Sequence, residues 1–329
     1  MSRSLLTKIL TLLLCFTGAS CFSQEIKVCL WKGCNPHENL PLFRNKYEGE
    51  FSIERCGEEF IVVNKLDIES YLVGVLAKEM DALWPVEALK AQAVVSRTLA
   101  IWKINENKSK NLPYDIENSI YHQVYGTTNS TKIENAVYST KGEILTYNGA
   151  IVQVFFHANC GGKTAVSDEV WGGVYPYLKS VDDPYCADTP YYKWRKIFTK
   201  SQISRLMNIP DINEITVSER HKSGRVKNLK LVSKNGNVTY ITSHKFRMQI
   251  NSQASKIAFT EPFIIPGTNF EIHQEGNNVI FIGKGYGHGV GMCQWGARQM
   301  AQKGKNYREI LHYYFEDLQL ETLENVKNI

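Results

Sequence analysis

The stretch from Leu66 to Trp102 constrains the fold most, because it has the pattern of two helices joined by a short turn. Asp67 is suited to cap the first helix, since its side chain can accept hydrogen bonds from the free amides of the first turn. Pro85 is well placed in the first turn of the second helix. That second helix is apolar almost all round, which indicates burial in a sizeable domain. Four apolar residues at helical spacing predict the buried face of the first helix: Tyr71, Leu72, Val75 and Leu76.

Glu79 lies where the first helix is expected to end, three residues past Leu76, and it continues the apolar face. A carboxyl group in such a place is a candidate for a raised pKa and for proton transfer. The alternative is an ordinary surface carboxylate, and the pattern leaves both interpretations open. On the second helix Gln92 and Ser96 are four residues apart and form a small polar patch, with Arg97 beside them.

Residues 1–23 are typical of a secretory signal, because basic residues precede a short apolar run from Ile9 to Phe16 and then small residues. The run is too short for a membrane-spanning helix, so no span is expected in the mature protein. Cys21 is a candidate lipid-carrying cysteine, and ordinary cleavage before Gln24 is the alternative. Either route predicts an extracytoplasmic protein, in the periplasm or cell envelope.

Six cysteines follow the signal, and an oxidising compartment allows disulfides among them. One bridge is expected among Cys29, Cys34 and Cys56 in the strand-rich segment 24–59, although spacing does not decide which pair forms. The formal net charge is +5, and no long run of Lys or Arg occurs. This charge pattern argues against a nucleic-acid partner.

Hairpin signals dominate the rest of the chain. Asn148-Gly149 separates two β-rich runs and predicts a hairpin within region 142–190. A strand meander is expected over 213–282, and the tail 316–329 is expected to be frayed. Residues 103–112 have the composition of a surface loop, and 194–207 the pattern of a helix. Because no βαβ rhythm occurs, the prediction is an α+β fold. Short antiparallel sheets and hairpins would pack around the buried two-helix hinge 66–102, with two lobes flanking a cleft.

His157 and Cys160 lie three residues apart at the end of a predicted strand, and Cys186 follows later. One imidazole and two thiolates can bind zinc, with a water, carboxylate or substrate atom as the fourth ligand. The alternative is a Cys160–Cys186 disulfide with His157 merely nearby. In an oxidising compartment the sequence leaves both open.

Residues 283–297 form a glycine-rich stretch with six glycines in fifteen residues. Glycine lets the backbone approach a ligand or another chain segment closely. His288 stands between glycines, which favours a functional rather than a core histidine. We expect this loop to form the wall of the cleft opposite Glu79.

Several motifs occur in a fixed order along the chain. They are Glu79-Met80, Trp84-Pro85, Glu87–Val94 with Arg97-Thr98, Gly161–Thr164, Pro176–Leu178, Gly285–Met292, and Gln294 with Gly296-Ala297. Together they resemble the stage II sporulation protein D and LytB amidase-enhancer family over roughly residues 60–315. The resemblance implies that 60–315 is a catalytic domain of a peptidoglycan lytic transglycosylase, with Glu79 as its catalytic residue.

Such an enzyme cuts the bond between N-acetylmuramic acid and N-acetylglucosamine in peptide-stripped glycan strands and leaves 1,6-anhydro ends. The resemblance implies glycan strands as partner and an amidase acting upstream. It also implies a structural zinc on His157, Cys160 and Cys186 as the one cofactor. The alternative is a non-enzymatic enhancer of an N-acetylmuramoyl-L-alanine amidase. Asp81 is a candidate second carboxylate. The expected substrate-binding residues are Gln92, Ser96, Arg97, Tyr286, His288 and Gln294.

Overall fold

The computed structural model describes residues 24–119, 122–256 and 264–326. The predicted signal 1–23, with Cys21, lies outside the described residues. Helices and several short sheets together confirm the predicted α+β class. Within the described ranges, no helix combines the length and the apolar character needed to cross a bilayer.

The N-terminal part is a small sheet that leads into two helices. Its strand order is β2-β3-β1-β4; β3 pairs antiparallel with both β1 and β2, whereas β1 and β4 are parallel. Since β3 runs directly into α2, this sheet fixes where the first helix begins. The elements are β1 (Glu25–Gly33), α1 (Leu40–Lys46), β2 (Glu50–Cys56), β3 (Glu59–Asp67), α2 (Ile68–Glu79), α3 (Val86–Ser109) and β4 (Ile116–Glu117).

The predicted two-helix hinge is confirmed by α2 and α3. Asp67 Oδ1 accepts hydrogen bonds from the amides of Glu69 and Ser70, at 2.9 and 3.2 Å, and so caps α2. The predicted apolar face of α2 is fully buried. The prediction of a surface loop over 103–112 is wrong up to Ser109, because α3 continues. Ile104 is buried on its inner side there.

Gly74 explains how an irregular segment reaches α2. A Cβ at this position would lie 2.3 Å from the Gly126 carbonyl oxygen and 2.4 Å from the Tyr125 ring. The Gly126 amide donates to the Gly74 carbonyl at 3.1 Å. A glycine within the helix is therefore required for residues 122–126 to pack against it.

The central part contains the predicted hairpin. Thr146 pairs with Ile151 and Tyr147 with Ala150 around the Asn148-Gly149 turn, which confirms it. The helix predicted over 194–207 is wrong in its first half, because residues 193–199 form a strand. The elements are α4 (Thr131–Tyr138), β5 (Glu143–Tyr147), β6 (Ala150–Ile151), β7 (Phe156–His157), α5 (Asp168–Trp171), β8 (Lys193–Thr199) and α6 (Lys200–Met207).

The C-terminal part holds the predicted meander and the closing helices. Its elements are β9 (Ile212–Arg220), β10 (Val226–Ser233), β11 (Val238–Thr242), α7 (Ser243–Lys256), β12 (Asn269–Glu275), β13 (Asn278–Lys284), β14 (Met292–Cys293), α8 (Gln294–Gln302), α9 (Tyr307–Tyr314) and β15 (Gln319–Thr322). The sheets have strand orders β11-β10-β9, β12-β13-β8, β15-β5-β6 and β14-β7. β8 is a strand because it pairs along its whole length with β13. The expectation of a frayed tail is wrong for Gln319–Thr322, since these residues form β15 and pair with β5. Residues 327–329 of that tail lie outside the described residues.

Two large hydrophobic cores organise the described residues. One surrounds α2 and α3 and includes Met300 of α8 and Leu311 of α9. The other lies between α6, α7 and the sheets of β8 to β13, around Phe246 and Phe281. The glycine-rich stretch runs from the second core into the first. It therefore brings the start of α8 to the C-terminal end of α2.

Candidate functional site

Glu79 is the last residue of α2 and is half-buried. Burial raises the pKa of its carboxyl group, because desolvation disfavours the charged form. Hydrogen bonds from the Val124 backbone amide and the Gln294 side chain oppose this shift but are smaller effects. The carboxyl group is therefore held in its protonated form to a higher pH than an exposed glutamate.

Gln294 links Glu79 to the polar patch of α3. Its Nε2 donates to the Glu79 carbonyl oxygen and to Gln92 Oε1, both at 3.4 Å. Gln92 Nε2 in turn donates to Ser96 Oγ at 3.0 Å. The structure thus brings three of the expected substrate-binding residues into one network with Glu79. Gln92 and Ser96 are fully buried, so they position Gln294 and present no surface to a ligand.

Two further residues belong to this network, and the sequence analysis did not predict either of them as a site residue. Gln123 donates to the Ser96 carbonyl oxygen at 3.2 Å, and Tyr71 donates to Gln123 Oε1 at 3.1 Å. Gln123 lies in an irregular segment without hydrophobic periodicity, so the sequence pattern could not predict its place in the site. Tyr71 was predicted only as a core residue. Together they hold the segment whose Val124 amide reaches the Glu79 carboxyl group.

Two tryptophans lie next to this network and define a tryptophan pair. The ring centroids of Trp84 and Trp295 are 4.8 Å apart. The Arg298 guanidinium lies 5.7 Å from the Trp84 centroid and 5.0 Å from the Trp295 centroid. Both tryptophans are half-buried, and neighbouring Leu83 is 86% exposed. An aromatic surface beside a carboxyl group with a raised pKa suits a ligand with apolar ring faces and polar edges.

Asp81, the candidate second carboxylate, lies in the same turn as Glu79. It is exposed, and its Oδ1 accepts a hydrogen bond from the Leu83 amide at 2.8 Å. Its side chain thus stabilises the turn between α2 and α3. The structure does not place it opposite Glu79, where a second carboxylate would act on a bound sugar.

Arg97, another expected substrate-binding residue, lies at the other end of α2. Its side chain is fully buried and forms a bidentate ion pair with Glu69, at 2.6 to 3.2 Å. Glu69 and Glu79 are ten residues apart on one helix, which corresponds to about 15 Å. Arg97 therefore joins α3 to α2 and does not belong to the surroundings of Glu79.

The glycines of the stretch 283–297 serve close packing of chain against chain. A Cβ at Gly291 would lie 2.1 Å from the Phe155 carbonyl oxygen, and one at Gly287 would lie 2.9 Å from His157 Cβ. Gly285 packs in the same way against the backbone of Cys160. These glycines therefore allow close approach to another chain segment, which is the second of the two alternatives considered from the sequence, rather than to a ligand.

His288 and Tyr286 lie in this packed region rather than in contact with Glu79. Burial, together with the charge of Arg247, lowers the pKa of His288 to about 3, so the ring is neutral. Its Nδ1 accepts from the Val290 amide at 3.1 Å, and the ring packs 5.1 Å from that of Trp171. Tyr286 packs against Tyr191, with centroids 4.8 Å apart. These contacts give both residues a role in packing.

The two cysteines of the predicted metal set, Cys160 and Cys186, lie close together in the structure, but their neighbours are Asp183 and Cys293 rather than His157. Cys160 Sγ lies 3.2 Å from both Cys186 Sγ and Asp183 Oδ2, and Cys293 joins the cluster. The four donor atoms all lie within 4.8 Å of one another and are buried. We call these four residues the thiol cluster. Hydrogen bonds from the neighbouring thiols and from backbone amides lower the pKa of the Cys186 thiol.

His157, the third residue of the predicted set, is not part of the thiol cluster. Its Nδ1 donates to the Val290 carbonyl oxygen at 3.1 Å, and within the described chain its buried Nε2 has no hydrogen-bond partner. Every described cysteine is a free thiol. Neither the Cys160–Cys186 disulfide nor a bridge among the three N-terminal cysteines is formed in the structure.

Comparison with known proteins gives two family matches. The model described as "Stage II sporulation protein", SpoIID, matches residues 57–147, which include Glu79 and the α3 polar patch. A model for a domain of unknown function, DUF8618, matches residues 177–291. Cys160 falls between the two matched ranges.

Three relatives illustrate the similarity. An uncharacterized protein of Brachyspira hyodysenteriae is 37% identical over 84% of this chain and 72% of that protein. Stage II sporulation protein D of Bacillus subtilis is 29% identical over 78% of this chain and 75% of its own length. The amidase enhancer of Bacillus subtilis is 28% identical over 74% of this chain, but the match spans only 39% of that longer protein.

Proposed function

Because the chain belongs to the family of stage II sporulation protein D and the LytB amidase enhancer, we propose that it is a peptidoglycan lytic transglycosylase. Its substrate is the bond between N-acetylmuramic acid and N-acetylglucosamine in glycan strands already stripped of peptides. The observation that carries the proposal is the Glu79 carboxyl group at the end of α2, whose pKa is raised by burial and which accepts hydrogen bonds from two donors.

A single carboxyl group suffices for this reaction. Glu79 donates its proton to the glycosidic oxygen as the bond from that oxygen to C1 of the muramic acid breaks. Positive charge then develops on the sugar ring. The resulting Glu79 carboxylate accepts the proton of the sugar's own C6 hydroxyl group while that oxygen bonds to C1. The product carries a 1,6-anhydro ring, Glu79 is protonated again, and no water is consumed.

The neighbours of Glu79 suit this sequence of steps. Gln294 and the Val124 amide donate hydrogen bonds that stabilise the carboxylate formed after the first proton transfer, without fully offsetting the effect of burial. The tryptophan pair offers an aromatic surface on which the apolar faces of sugar rings can stack. Asp81 makes a turn hydrogen bond, which fits a mechanism with one carboxyl group rather than two.

A second candidate function is a non-enzymatic one, and the relative that carries the name amidase enhancer favours it. In this alternative the chain binds peptidoglycan and stimulates an N-acetylmuramoyl-L-alanine amidase. Both functions place the protein outside the cytoplasm, where the signal expected at residues 1–23 would deliver it. Both also make glycan strands its binding partner and an amidase its functional neighbour.

The decisive experiment uses sacculi from which an amidase has removed the peptides. Purified protein is incubated with them alone, and soluble sugars with 1,6-anhydro ends are measured by mass spectrometry. We expect release by the wild type and a loss of about 1000-fold in Glu79→Gln, since a general acid typically contributes about 100- to 10,000-fold.

Asp81→Asn is the matched control, because it neutralises an exposed carboxylate two residues away, and we expect it to retain activity. Release by Glu79→Gln at the wild-type rate would disprove the catalytic assignment. If wild-type protein releases no product from stripped strands but accelerates an added amidase on intact sacculi, the enhancer function is correct instead.

A further inference from the structure

We propose that the thiol cluster, Cys160, Asp183, Cys186 and Cys293, is a closed structural zinc site. Nothing in the mechanism above requires these residues, so the proposal is independent of the proposed function. This ligand set differs from the one expected from the sequence, because it excludes His157 and adds Asp183 and Cys293 as ligands.

The donor set is what a structural zinc site needs. Zinc binds thiolate sulfur and carboxylate oxygen in tetrahedral geometry with Zn–S bonds of about 2.3 Å, which places ligand sulfurs about 3.8 Å apart. The four donor atoms lie within 4.8 Å of one another, so they can reach this geometry through small side-chain movements. Four potential anions in a buried cluster would repel one another strongly without a cation between them.

The surroundings of the sulfurs provide the hydrogen bonds that orient zinc ligands. The Gly162 amide donates to Cys186 Sγ at 3.2 Å. The amides of Cys160 and Gly296 donate to Cys293 Sγ, at 3.3 and 3.4 Å. Amide donors of this kind stabilise thiolates and leave sulfur lone pairs available for a metal ion.

The Asp183 carboxylate is also oriented by a hydrogen bond. The Tyr314 hydroxyl group donates to its Oδ2 at 2.9 Å, and both side chains are buried. A Cβ at Gly296 would lie 2.4 Å from that same oxygen and 2.0 Å from the tyrosine oxygen. The glycine at this position therefore makes room for the carboxylate to face the sulfurs.

Arg225 supplies a compensating charge. Its guanidinium is buried, and its Nη2 donates to the carbonyl oxygens of Cys160 and Lys163 at 2.9 and 2.8 Å. Three thiolates, one carboxylate and Zn²⁺ carry a net charge of −2, which a neighbouring cation partly neutralises. An uncharged disulfide with a lone thiol beside it would give this buried cation less to interact with.

The location of the cluster shows what the metal would stabilise. Its ligands come from the end of β7, from the turn at 183–186 and from β14, three segments far apart in sequence. Cys293 also caps α8, whose first residue is Gln294. Zinc at this site would therefore fix the start of α8 and, through Gln294, one of the hydrogen bonds to Glu79.

The test uses the chain from Gln24 onward, purified under conditions that keep thiols reduced and then exposed to zinc. Metal content is measured by mass spectrometry of the elements, and cobalt substitution is followed through sulfur-to-cobalt charge-transfer absorption. We expect one zinc per chain in the wild type. Cys293→Ser and Asp183→Asn should weaken zinc retention against a chelator by at least about tenfold, because loss of even a hydrogen-bond partner of a metal ligand typically costs about 10- to 100-fold in affinity.

Two matched variants separate this site from the set expected from the sequence. His157→Gln removes a buried group outside the cluster, and Cys34→Ser removes an exposed thiol; both should keep their zinc. Loss of zinc in His157→Gln with retention in Cys293→Ser would overturn the proposal.

Wild-type protein that binds no zinc would overturn it as well, whether its thiols are all free or its mass is two hydrogens lighter from a Cys160–Cys186 disulfide. If Cys293→Ser fails to fold, the wild type decides the question. A chelator should then lower its melting temperature and release one zinc, and an unchanged melting temperature would contradict a structural site.

Discussion

The two ends of α2 each carry a glutamate, and the two are held in opposite ways. Glu69 in the first turn is buried against Arg97, whose guanidinium donates to both of its carboxylate oxygens. Glu79 at the last position meets an amide and a neutral glutamine, and burial raises the pKa of its carboxyl group. One helix therefore carries a carboxylate that is ion-paired with arginine at one end, and at the other a carboxyl group that has no cationic partner and a raised pKa.

Only one of the two glutamates is placed to take part in proton transfer. The ion pair between Glu69 and Arg97 joins α2 to α3, so this carboxylate has a structural role. A carboxyl group that is desolvated without a cationic partner keeps its proton to a higher pH than an exposed glutamate does, so it can donate that proton to a substrate and accept one back. The residue type is the same, so the partner decides the role. Four substitutions test that distinction, in order of decreasing expected effect.

Glu69→Gln should cost about 3–5 kcal/mol of unfolding free energy, because it leaves the Arg97 charge buried and unpaired. It also weakens the hydrogen bond that Glu69 Oε1 accepts from the Gly142 amide. Urea unfolding measures the loss, and Glu79→Gln is the matched variant on the same helix. A cost below about 1 kcal/mol for Glu69→Gln would show that the Glu69–Arg97 ion pair does not stabilise the fold.

Trp84→Ala should raise the KM for stripped glycan about tenfold with a smaller change in kcat, since it removes part of the tryptophan pair beside Glu79 but no reacting group. Trp171→Ala is the control, because that tryptophan packs on Phe155 and His288 instead. Equal effects of the two substitutions would mean that the ligand does not approach the Glu79 end of α2 over the tryptophan pair.

Gln294→Ala should shift the pH dependence of kcat/KM. The active form carries the proton on Glu79, so kcat/KM falls as pH rises through the Glu79 pKa. Gln294 lowers that pKa by stabilising the carboxylate, and its removal should move the fall to higher pH. Gln302→Ala, at the exposed end of the same helix, should leave the profile in place. A shift to lower pH would contradict the assigned hydrogen bond.

Glu79→Gln should raise the melting temperature slightly at pH 7, by about 2 °C. The folded pKa of Glu79 is raised above its unfolded value of 4.5. The folded state therefore binds this proton more tightly, and stability is lost as pH rises from 4.5 through the folded pKa. Glutamine avoids that cost, so the gain should vanish below pH 4.5. A melting temperature lower than that of the wild type at pH 7 would place Glu79 with Glu69 as a structural residue.

The helices and turns could be predicted from the sequence because they depend on residues close together in the chain. The Asp67 cap, the apolar face of α2 and the Asn148-Gly149 hairpin each depend on residues a few positions apart. It failed where long-range pairing decides. Residues 193–199 have helical neighbours in sequence, yet they form a strand because β13 lies beside them.

The site residues divide in the same way. Glu79 stood out by its position on an apolar face, and Gln92 and Ser96 by their spacing. Arg97 was assigned to the ligand because the sequence does not show which carboxylate an arginine meets. Only the packing of α2 on α3 pairs it with Glu69.

The order of the residues alone shows that a carboxyl group ends an apolar helix and that cysteines and glycines follow it along the chain. Which of these groups meet in space depends on how the chain folds. Parallel pairing of β14 with β7 brings Cys293 to Cys160, and the same segment carries Gln294 to Glu79. The physical reason is that a pKa shift or a ligand set depends on neighbours in space. Those neighbours are fixed by backbone pairing and packing between segments that share no local pattern.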